Sequence, residues 1–507
     1  LKHVIETQAF WAKNAQNANG NQCFRFLTSA LKIVSSGKPK PGTFVFTSKL
    51  LPGMKTTFYK YTCLLAAAFC LTTTACEMFT KGYDVNPNLP EDAPLNQRLT
   101  AVQVSMGLSV SGELARISGI WTNQFTGTQN QYLGLEQYTI QASDANTAWA
   151  IMYAAVGNNA RFIQQEATRT NNAWTRGVAR ALEAMTVGTA ASLFGDVPYS
   201  QAFDSEQFPN PTFDSQTEVY AAVQRTLDES LADLNQPTGS LLGDIYYSGN
   251  LTRWKAAIHS LKARYFLHTK EYQKAVDNAL LGVASPADNM WMPFPGTSQN
   301  KDLNPYFDFA FVNRAGYMDA SRSFALPLLQ SRVSGKTNET GRLNYYFDVA
   351  EKNLNYAEGG FFAQNASFPV LTFEETQLIL AESQFRLGKS SEALTALNKV
   401  RAANATNESL KAAGTVVYEP YTTADFATND ALLKEILVEK YLSLLGQIEV
   451  WNDAKRLNNY RLIGIELRSS TATTIPQRLF YPQNEITTNP NTPTPIPGLF
   501  EPTPTNR

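Results

Sequence analysis

Two stretches of the sequence combine aromatic rings with amide and guanidinium side chains, a combination suited to sugar binding. They read WTNQFTGTQNQYLGLEQY at 121–138 and MWMPFPGTSQNKDLNPYFDFAFVNRAGY at 290–317. Aromatic rings can stack on the C–H face of a sugar, while amides and Arg hydrogen-bond its hydroxyls. We predict ligand-binding side chains at nine positions in these stretches: Trp121, Gln124, Tyr132, Tyr138, Trp291, Phe294, Tyr306, Asn313 and Arg314. The alternative is that the same rings pack these loops onto the body of the protein.

Residues that could form a catalytic or metal site are scarce. His259 and His268 lie nine positions apart, and the sequence has neither an HExxH motif nor a Cys/His cluster. The patterns GxSxG, GxGxxG and GxxxxGK[ST] do not occur. Carboxylate pairs occur at 374–375 and at Glu449 with Asp453, where helix starts and ion pairs account for them. The sequence predicts no catalytic residue, metal or cofactor, and it favours a binding protein over a glycoside hydrolase.

Composition sets further limits on function. The chain has 507 residues and a formal net charge of -1, with 43% hydrophobic and 17% charged residues. These values predict a packed core, and the near-neutral charge argues against nucleic-acid binding, which needs a basic face. No run of 18 apolar residues occurs, so no membrane-spanning helix is predicted.

A secretory leader is predicted well inside the chain. From Met54 the sequence reads MKTTFYKYTCLLAAAFCLTTTAC, with two lysines, a short apolar run and small residues before Cys76. This is the layout of a signal peptide over 54–75, and a cysteine at the next position is what lipoprotein processing requires. The other cysteines all precede Cys76, so a chain cleaved there keeps no partner for a disulfide. We therefore predict lipidation of Cys76. The alternative is a plain signal peptide with a chance cysteine.

The segments around this leader have their own predicted roles. Residues 1–53 contain no Met and show no sustained periodicity, and we interpret them as a mis-assigned upstream extension. Residues 76–97 are polar and contain Pro and Asn, which predicts a lipidated tether.

Beyond the tether, hydrophobic spacing of the helical type dominates. We predict helices over about 98–121, 144–167, 172–195, 216–234, 251–268, 271–282, 373–387, 391–403 and 429–446. Asp144 is the expected N-cap of the second helix and Gly195 the stop of the third. Helical periodicity is lost over 285–372, which predicts a long irregular excursion with a few short strands. The Pro/Thr-rich tail, 488–507, is predicted to be extended.

Two predicted helix-turn-helix units are similar to each other. They span 261–282 and 378–400, and each has small residues where paired helices must approach closely. This arrangement is typical of tetratricopeptide repeats, in which each helix pair needs a neighbour to cover its apolar face. The units are far apart in sequence, so a regular solenoid is not expected. Any helical hairpin remains the alternative.

Five stretches of the sequence together resemble the SusD/RagB family of Bacteroidetes outer-membrane lipoproteins, in its SusD-like branch. They are YDVNPNLPEDAP after Cys76, LFGDVPYSQAF at 193–203, TFEETQLILAESQFRLGKSSEALTALNKVRA at 372–402, ILVEKYLSLLGQIEVWNDAKRL at 436–457 and IPQRLFYPQNEITTN at 475–489. In the second stretch we interpret Asp196 as a cap of backbone N–H groups. In the fourth we interpret Trp451 as a core residue and Asp453 with Arg456 as an ion pair.

The resemblance implies a mostly α fold, with four tetratricopeptide-like helix pairs packed with an irregular ligand-binding excursion. It implies one helical binding domain, here at 98–487, without catalysis. It also implies a lipid-anchored protein on the cell surface that captures glycans for a TonB-dependent, SusC-like outer-membrane transporter. Because ligand residues vary within the family, the resemblance transfers none of them. The same fold with a peptide or another nutrient as cargo is the alternative.

Overall fold

The structure is a computed structural model, and it describes residues 93–297 and 302–507. The predicted upstream extension, the signal peptide and the lipidation site Cys76 lie outside these ranges, so these three stay predictions. Of the predicted tether, 76–97, the structure describes only residues 93–97. The first helix begins within them, at Leu95.

Helices make up most of the described chain, as the sequence predicts. They are, in chain order, α1 (Leu95–Ser111), α2 (Glu113–Trp121), α3 (Asn130–Glu136), α4 (Asn146–Ala150), α5 (Asn159–Arg169), α6 (Ala173–Phe194), α7 (Gln216–Leu234), α8 (Leu251–His268), α9 (Tyr272–Ala279), α10 (Pro305–Phe307), α11 (Ala325–Ser331), α12 (Thr340–Tyr346), α13 (Phe373–Arg386), α14 (Ser390–Thr406), α15 (Glu408–Ala413), α16 (Asn429–Ser443), α17 (Glu449–Lys455), α18 (Asn459–Ile463) and α19 (Gln483–Thr488).

The strands of the described residues are short, between two and four residues each. They are β1 (Thr126–Gly127), β2 (Met290–Met292), β3 (Met318–Asp319), β4 (Thr337–Asn338), β5 (Phe347–Asp348), β6 (Asn353–Leu354), β7 (Phe368–Leu371) and β8 (Val417–Tyr418). They form four antiparallel pairs, β1 with β3, β2 with β7, β4 with β8 and β5 with β6.

Three of the long predicted helices, α6, α7 and α8, are confirmed, and each has a capping residue or a glycine stop at one end. Helix α7 begins after Ser215, whose side chain accepts from the Glu218 backbone N–H in a capping box. Helix α8 begins after Asn250, which caps the Arg253 N–H at 3.1 Å. Helix α6 ends before Gly195, whose φ of 86° favours glycine.

Two predicted helices are interrupted. Gly112 leaves the helical conformation and separates α1 from α2 within the predicted helix 98–121. The predicted helix 144–167 continues from α4 through a π-helical segment, Ile151–Asn158, into α5. Asp144 is not its N-cap. It lies in a preceding 3₁₀ turn, Ala142–Ala145, where its carboxylate accepts from the Gln141 N–H at 2.8 Å.

In the predicted irregular excursion, 285–372, the described residues form short strands and the short helices α10, α11 and α12. Each has seven residues or fewer, too short for a helical period to stand out in the sequence. The predicted tail is mostly without regular structure after α19, and it packs on the body. Leu499 is buried, and the Thr505 N–H donates to Gln216 Oε1 at 2.9 Å.

The two tetratricopeptide-like units are neighbours in space despite their separation in sequence. They correspond to α8 with α9 and to α13 with α14, and their apolar faces share one core cluster. Ser260 and Thr376 hydrogen-bond across this junction at 2.8 Å, and Arg264 forms a buried ion pair with Glu375 at 2.6 Å. Each pair thus covers the apolar face of the other.

Two of the stretches that carry the family resemblance, 193–203 and 436–457, have the structural roles that we interpreted from the sequence. Asp196 accepts from the first N–H of α7, that of Gln216, at 2.8 Å. Trp451 is buried in the core. Arg456 pairs with Asp453 at 2.7 Å and with Glu382 of α13 at 2.6 Å, which ties the two helical regions together.

Candidate functional site

Most of the predicted ligand-binding side chains lie in the protein core. Six of the nine are at most 5% exposed: Trp121, Gln124, Tyr132, Tyr138, Phe294 and Tyr306. In this structure the aromatic spacing of 121–138 serves to pack that segment down. A ligand role for these six stays a prediction, and it would require the buried parts of both stretches to open.

Hydrogen bonds hold the five polar side chains of this set in place, and Phe294 is held by packing alone. Gln124 bridges two backbone sites, accepting from the Gly446 N–H at 2.9 Å and donating to the Tyr441 carbonyl at 2.8 Å. The Tyr306 hydroxyl donates to the Gly446 carbonyl at 2.8 Å. Trp121 Nε1 donates to a backbone carbonyl at 3.0 Å. Because these side chains are fully buried and their polar atoms already have partners, no sugar hydroxyl can reach them in this structure.

Tyr132 and Tyr138 are similarly engaged. The Tyr132 hydroxyl accepts from Arg116 Nε at 2.7 Å, and its ring stacks on Phe309 with centroids 4.6 Å apart. The Tyr138 hydroxyl accepts from the Arg468 N–H at 3.1 Å.

Asn313 and Arg314 are exposed at the end of a π-helical turn, Asp308–Asn313. Asn313 Nδ2 donates to the Asp308 carboxylate at 2.9 Å, and Arg314 donates to the Asn313 carbonyl at 3.0 Å. Phe311 on the same turn is 55% exposed. This turn carries exposed aromatic and polar groups, but it lines neither of the cavities beside Trp291.

Trp291 is the predicted ring that the structure leaves accessible. It is the central residue of β2, and its neighbours Met290 and Met292 are buried while Trp291 is 37% exposed. Successive side chains of a strand point to opposite faces, so burial of the two methionines directs the indole outward. Strand β7 holds β2 from one side, with Trp291 opposite Pro369.

Two adjoining cavities meet at Trp291 and Tyr345, and together we name them the Trp291 cleft. One has a volume of about 400 Å³ and is also lined by Tyr346 and Phe361. The other has a volume of about 430 Å³ and is lined by small and amide residues of the loop 359–367. Volumes of this size suit a small ligand or a short segment of a polymer.

The floor of the cleft is polar and held by a buried ion pair. Arg342 donates to Glu439 at 2.8 Å and to Ser443 at 3.0 Å, and Asn404 donates to the same Glu439 oxygen at 3.0 Å. Although burial opposes the charge, the Arg342 and Arg332 guanidiniums hold the pKa of the Glu439 carboxyl down at about 2. The network therefore stays ionised and fixes its side chains at neutral pH.

Further amides and a carboxylate complete the lining. Asn289 accepts from the Phe373 N–H at 2.7 Å and donates to Glu374 at 3.3 Å. Asn407 caps α15 through the Leu410 N–H at 3.2 Å and stands exposed on the rim. Rings beside oriented amides are the groups that stack on a sugar and bind its hydroxyls. In the described part of the chain, no group of three or more His, Cys, Asp or Glu side chains could hold a metal ion.

Several lining residues were missed by sequence reasoning. Asn289 lies two positions before Trp291, at the edge of the stretch that signalled sugar binding. Tyr345 belongs to the short helix α12, and Asn404 to the end of the long helix α14. Separate elements bring these residues together, so no local pattern reveals them.

The comparisons with known proteins agree with this fold. The model of the SusD-like family, described as starch-binding and associating with the outer membrane, matches residues 87–482. The chain belongs to the SusD-like family. No curated protein is similar enough to this SusD-like chain to count as a match.

Solved structures show the same fold at low sequence identity. A SusD homolog from Parabacteroides distasonis has a TM-score of 0.63 and 16% identity, covering 82% of this chain and 98% of that chain. A SusD/RagB family protein from Bacteroides thetaiotaomicron has a TM-score of 0.60 and 20% identity, covering 79% and 95%. A chitin-binding protein also has a TM-score of 0.60 and 20% identity, covering 78% and 95%.

The SusD-like family is a family of glycan-binding proteins associated with the outer membrane. Across residues 93–297 and 302–507, no helix has both the length and the apolar character needed to span a membrane.

Proposed function

We propose that this SusD-like protein captures glycans at the cell surface in the Trp291 cleft and delivers them to a SusC-like, TonB-dependent outer-membrane transporter. The observation that carries the proposal is the exposed indole of Trp291 at the mouth of a cleft whose floor is lined by fixed amides. Membership of a family described as starch-binding supports the class of ligand.

The cleft combines the two contacts that a sugar needs. The Trp291 and Tyr345 rings offer apolar faces, and the amides of Asn289, Asn404 and Asn407 line the cavity. Each amide has two N–H donors and two acceptor lone pairs, so it can bind a sugar hydroxyl in addition to its present partners. Because the backbone and Glu439 already orient the first two amides, little conformational entropy is lost when a sugar binds.

Binding is tested by affinity electrophoresis of the protein in gels that contain one polysaccharide each. We expect at least one glycan to retard the protein, and Trp291→Ala to remove the retardation. Phe311→Ala is the matched control, because Phe311 is an exposed ring outside the cleft. If Phe311→Ala removes retardation and Trp291→Ala does not, the site lies on the π-helical turn instead.

We propose binding without catalysis. The carboxylates that line the cleft are Glu374 and Glu408, and Glu408 is paired with Lys411 at 3.0 Å on the rim. Incubation of the retarding glycan with the protein is expected to leave its chain length unchanged in product chromatography. Release of shorter oligosaccharides would show a glycoside hydrolase. Retardation by no glycan, together with binding of peptides, would assign the cleft to peptide cargo.

The anchor and the partner are part of the same proposal. Lipidation of Cys76 would hold the protein at the outer membrane, and mass spectrometry of the mature N-terminus tests it. An unmodified Cys76, or a peptide from residues 1–53, would contradict the anchor.

The partner is tested by purifying the protein from solubilised outer membranes. We expect a SusC-like barrel to copurify with it, and its absence from native preparations would contradict the delivery step.

A further inference from the structure

Glu374 is a carboxylate on the lining of the Trp291 cleft with few partners of its own. It is the second residue of α13, it is half-buried, and it accepts from Asn289 Nδ2 at 3.3 Å. Among the described residues, no Arg, Lys or His nitrogen lies within 4.0 Å of its oxygens, although several such pairs form close by, including that of its neighbour Glu375.

The buried carboxylates elsewhere in the described residues are compensated. Ten are buried, namely Glu136, Glu183, Asp233, Asp244, Glu339, Glu375, Glu382, Glu439, Glu449 and Asp453. Nine of them lie within 4.0 Å of an Arg, Lys or His nitrogen. Asp244 has no such cation, but it accepts from four N–H groups. Glu374 has neither arrangement.

The helix start compensates Glu374 only in part. A carboxylate in the first turn of a helix is favoured by the partial positive charge there. Even so, burial raises the pKa of the Glu374 carboxyl above its ordinary value, although its own backbone N–H, Asn289, the Arg342 charge and the Thr372 hydroxyl act in the opposite direction. Because no described cationic nitrogen lies within 4.0 Å of its oxygens, the Glu374 carboxylate can still accept a positively charged partner.

Arg342 is the cationic side chain of the lining, and it lies more than 4.0 Å from the Glu374 oxygens and acts on them only at a distance. Arg342 is 2% exposed and its guanidinium is engaged by Glu439 and Ser443. The remaining lining residues of both cavities are uncharged, except Glu408, which already pairs with Lys411 on the rim. The accessible charge of the cleft is therefore negative.

The position of Glu374 relative to Trp291 favours an ammonium group. Asn289 contacts Glu374, and Trp291 follows it by two residues on the wall of the same cavity. A primary ammonium is attracted both by a carboxylate and by the face of an indole ring. Its three N–H donors would also satisfy the carboxylate oxygens.

We propose that the Trp291 cleft selects glycans that carry free amino sugars, with Glu374 as the counter-ion of the sugar ammonium. This inference rests on the proposed glycan-binding function of the cleft. Stacking rings and amides around Glu374 favour a sugar over a peptide amine, because they match the hydroxyls and C–H faces next to the ammonium.

Isothermal titration of two oligosaccharides of equal length tests the inference, one of glucosamine and one of N-acetylglucosamine. At about pH 6, where an amine is largely protonated, we expect the glucosamine oligomer to bind about 10-fold more tightly. Glu374→Gln is expected to abolish this preference by weakening the binding of the glucosamine oligomer. Glu408→Gln, on the rim of the same cleft, is the matched control and is expected to retain the preference.

The outcomes separate the two proposals. If both oligomers bind in a Trp291-dependent way with equal affinity, or if Glu374→Gln keeps the preference, the ammonium assignment is wrong and the glycan site stands. If neither these oligomers nor any other glycan binds, both proposals are wrong. If a lysine-rich peptide binds in a Glu374-dependent way and the sugars do not, the ammonium subsite belongs to a peptide carrier, which overturns the assignment to amino sugars. Thermal unfolding of Glu374→Gln confirms that the variant is folded before its affinities are compared.

Discussion

Trp121 and Trp291 lie in two regions that are both rich in aromatic and amide side chains, yet the first is fully buried and the second is 37% exposed. Trp121 ends α2 and packs edge-on against Trp451, with ring centroids 4.8 Å apart. Trp291 sits on a three-residue strand with one neighbouring strand. Both rings have polar neighbours, so what decides whether a ring is accessible to a ligand is how many helices and strands pack against it.

The largest expected effect on stability comes from changing the buried ring, Trp121. Trp121→Ala is expected to lower the free energy of unfolding by about 3–5 kcal/mol, because it leaves a cavity against Trp451 and removes the hydrogen bond from the indole to the Leu135 carbonyl. Urea unfolding followed by circular dichroism measures the loss. A variant of unchanged stability that no longer binds glycan would instead place Trp121 in the ligand site.

Gln124→Ala tests the same segment through its hydrogen bonds. The change leaves the Gly446 N–H and the Tyr441 carbonyl without their present partner. Each unsatisfied buried group costs about 1–3 kcal/mol, so we expect a loss of about 2–4 kcal/mol in the free energy of unfolding. Asn313→Ala, on the exposed turn, is the control and is expected to change it by less than about 0.5 kcal/mol. Equal effects of the two changes would contradict the burial of Gln124.

A pH dependence is expected from Lys455, which lies over the Trp451 ring at 4.1 Å and donates to the Ser192 carbonyl at 2.6 Å. Burial lowers the pKa of this amine to about 7. The folded state therefore binds the proton less readily than the unfolded state, and the free energy of unfolding should rise as the pH increases above 7. The slope is at most about 1.4 kcal/mol per pH unit, so we expect a gain of about 2 kcal/mol between about pH 7.5 and 9.

Lys455→Met removes the titrating amine and should flatten this part of the stability curve. Urea unfolding of the protein and the variant at matched pH values measures the difference in the free energy of unfolding. The contributions of all other titrating groups are the same in both proteins and cancel in this difference. Parallel curves would mean that the Lys455 amine is not held at a lowered pKa.

The smallest effect on stability is expected from changing the exposed ring, Trp291. Trp291→Ala is expected to lower the free energy of unfolding by about 1 kcal/mol or less, because the indole is partly solvated and fills no core cavity. Its effect on glycan binding should nevertheless be large. A stability loss as large as that of Trp121→Ala would show that Trp291 is a structural residue of the β2–β7 pair.

The helical body could be predicted from the sequence because its signals are local. An apolar period and a cap fix α7 and α8, and the Gly195 stop ends α6. The packing of α9 on α13, by contrast, depends on how the intervening excursion folds. The interruption at Ile151–Asn158 has no apparent signal in the sequence.

The candidate site could be predicted only in part. Aromatic and amide composition pointed to the correct stretch for Trp291, but it could not separate this ring from Phe294, three residues later and buried. Alternation in β2 directs Trp291 outward, whereas Phe294 lies beyond the end of the strand and packs into the core. Tyr345, Asn404 and Glu374 come from three other helices, so their convergence on Trp291 is a tertiary property.

The central claim is that glycan binds in the Trp291 cleft, and a crystal structure of the protein with the glycan that retards it tests this most directly. We predict sugar density stacked on the Trp291 indole, with hydroxyls within hydrogen-bond distance of Asn289 or Asn404. Density on the Phe311 turn, or in an opened 121–138 segment with the Trp291 cleft empty, would contradict the account.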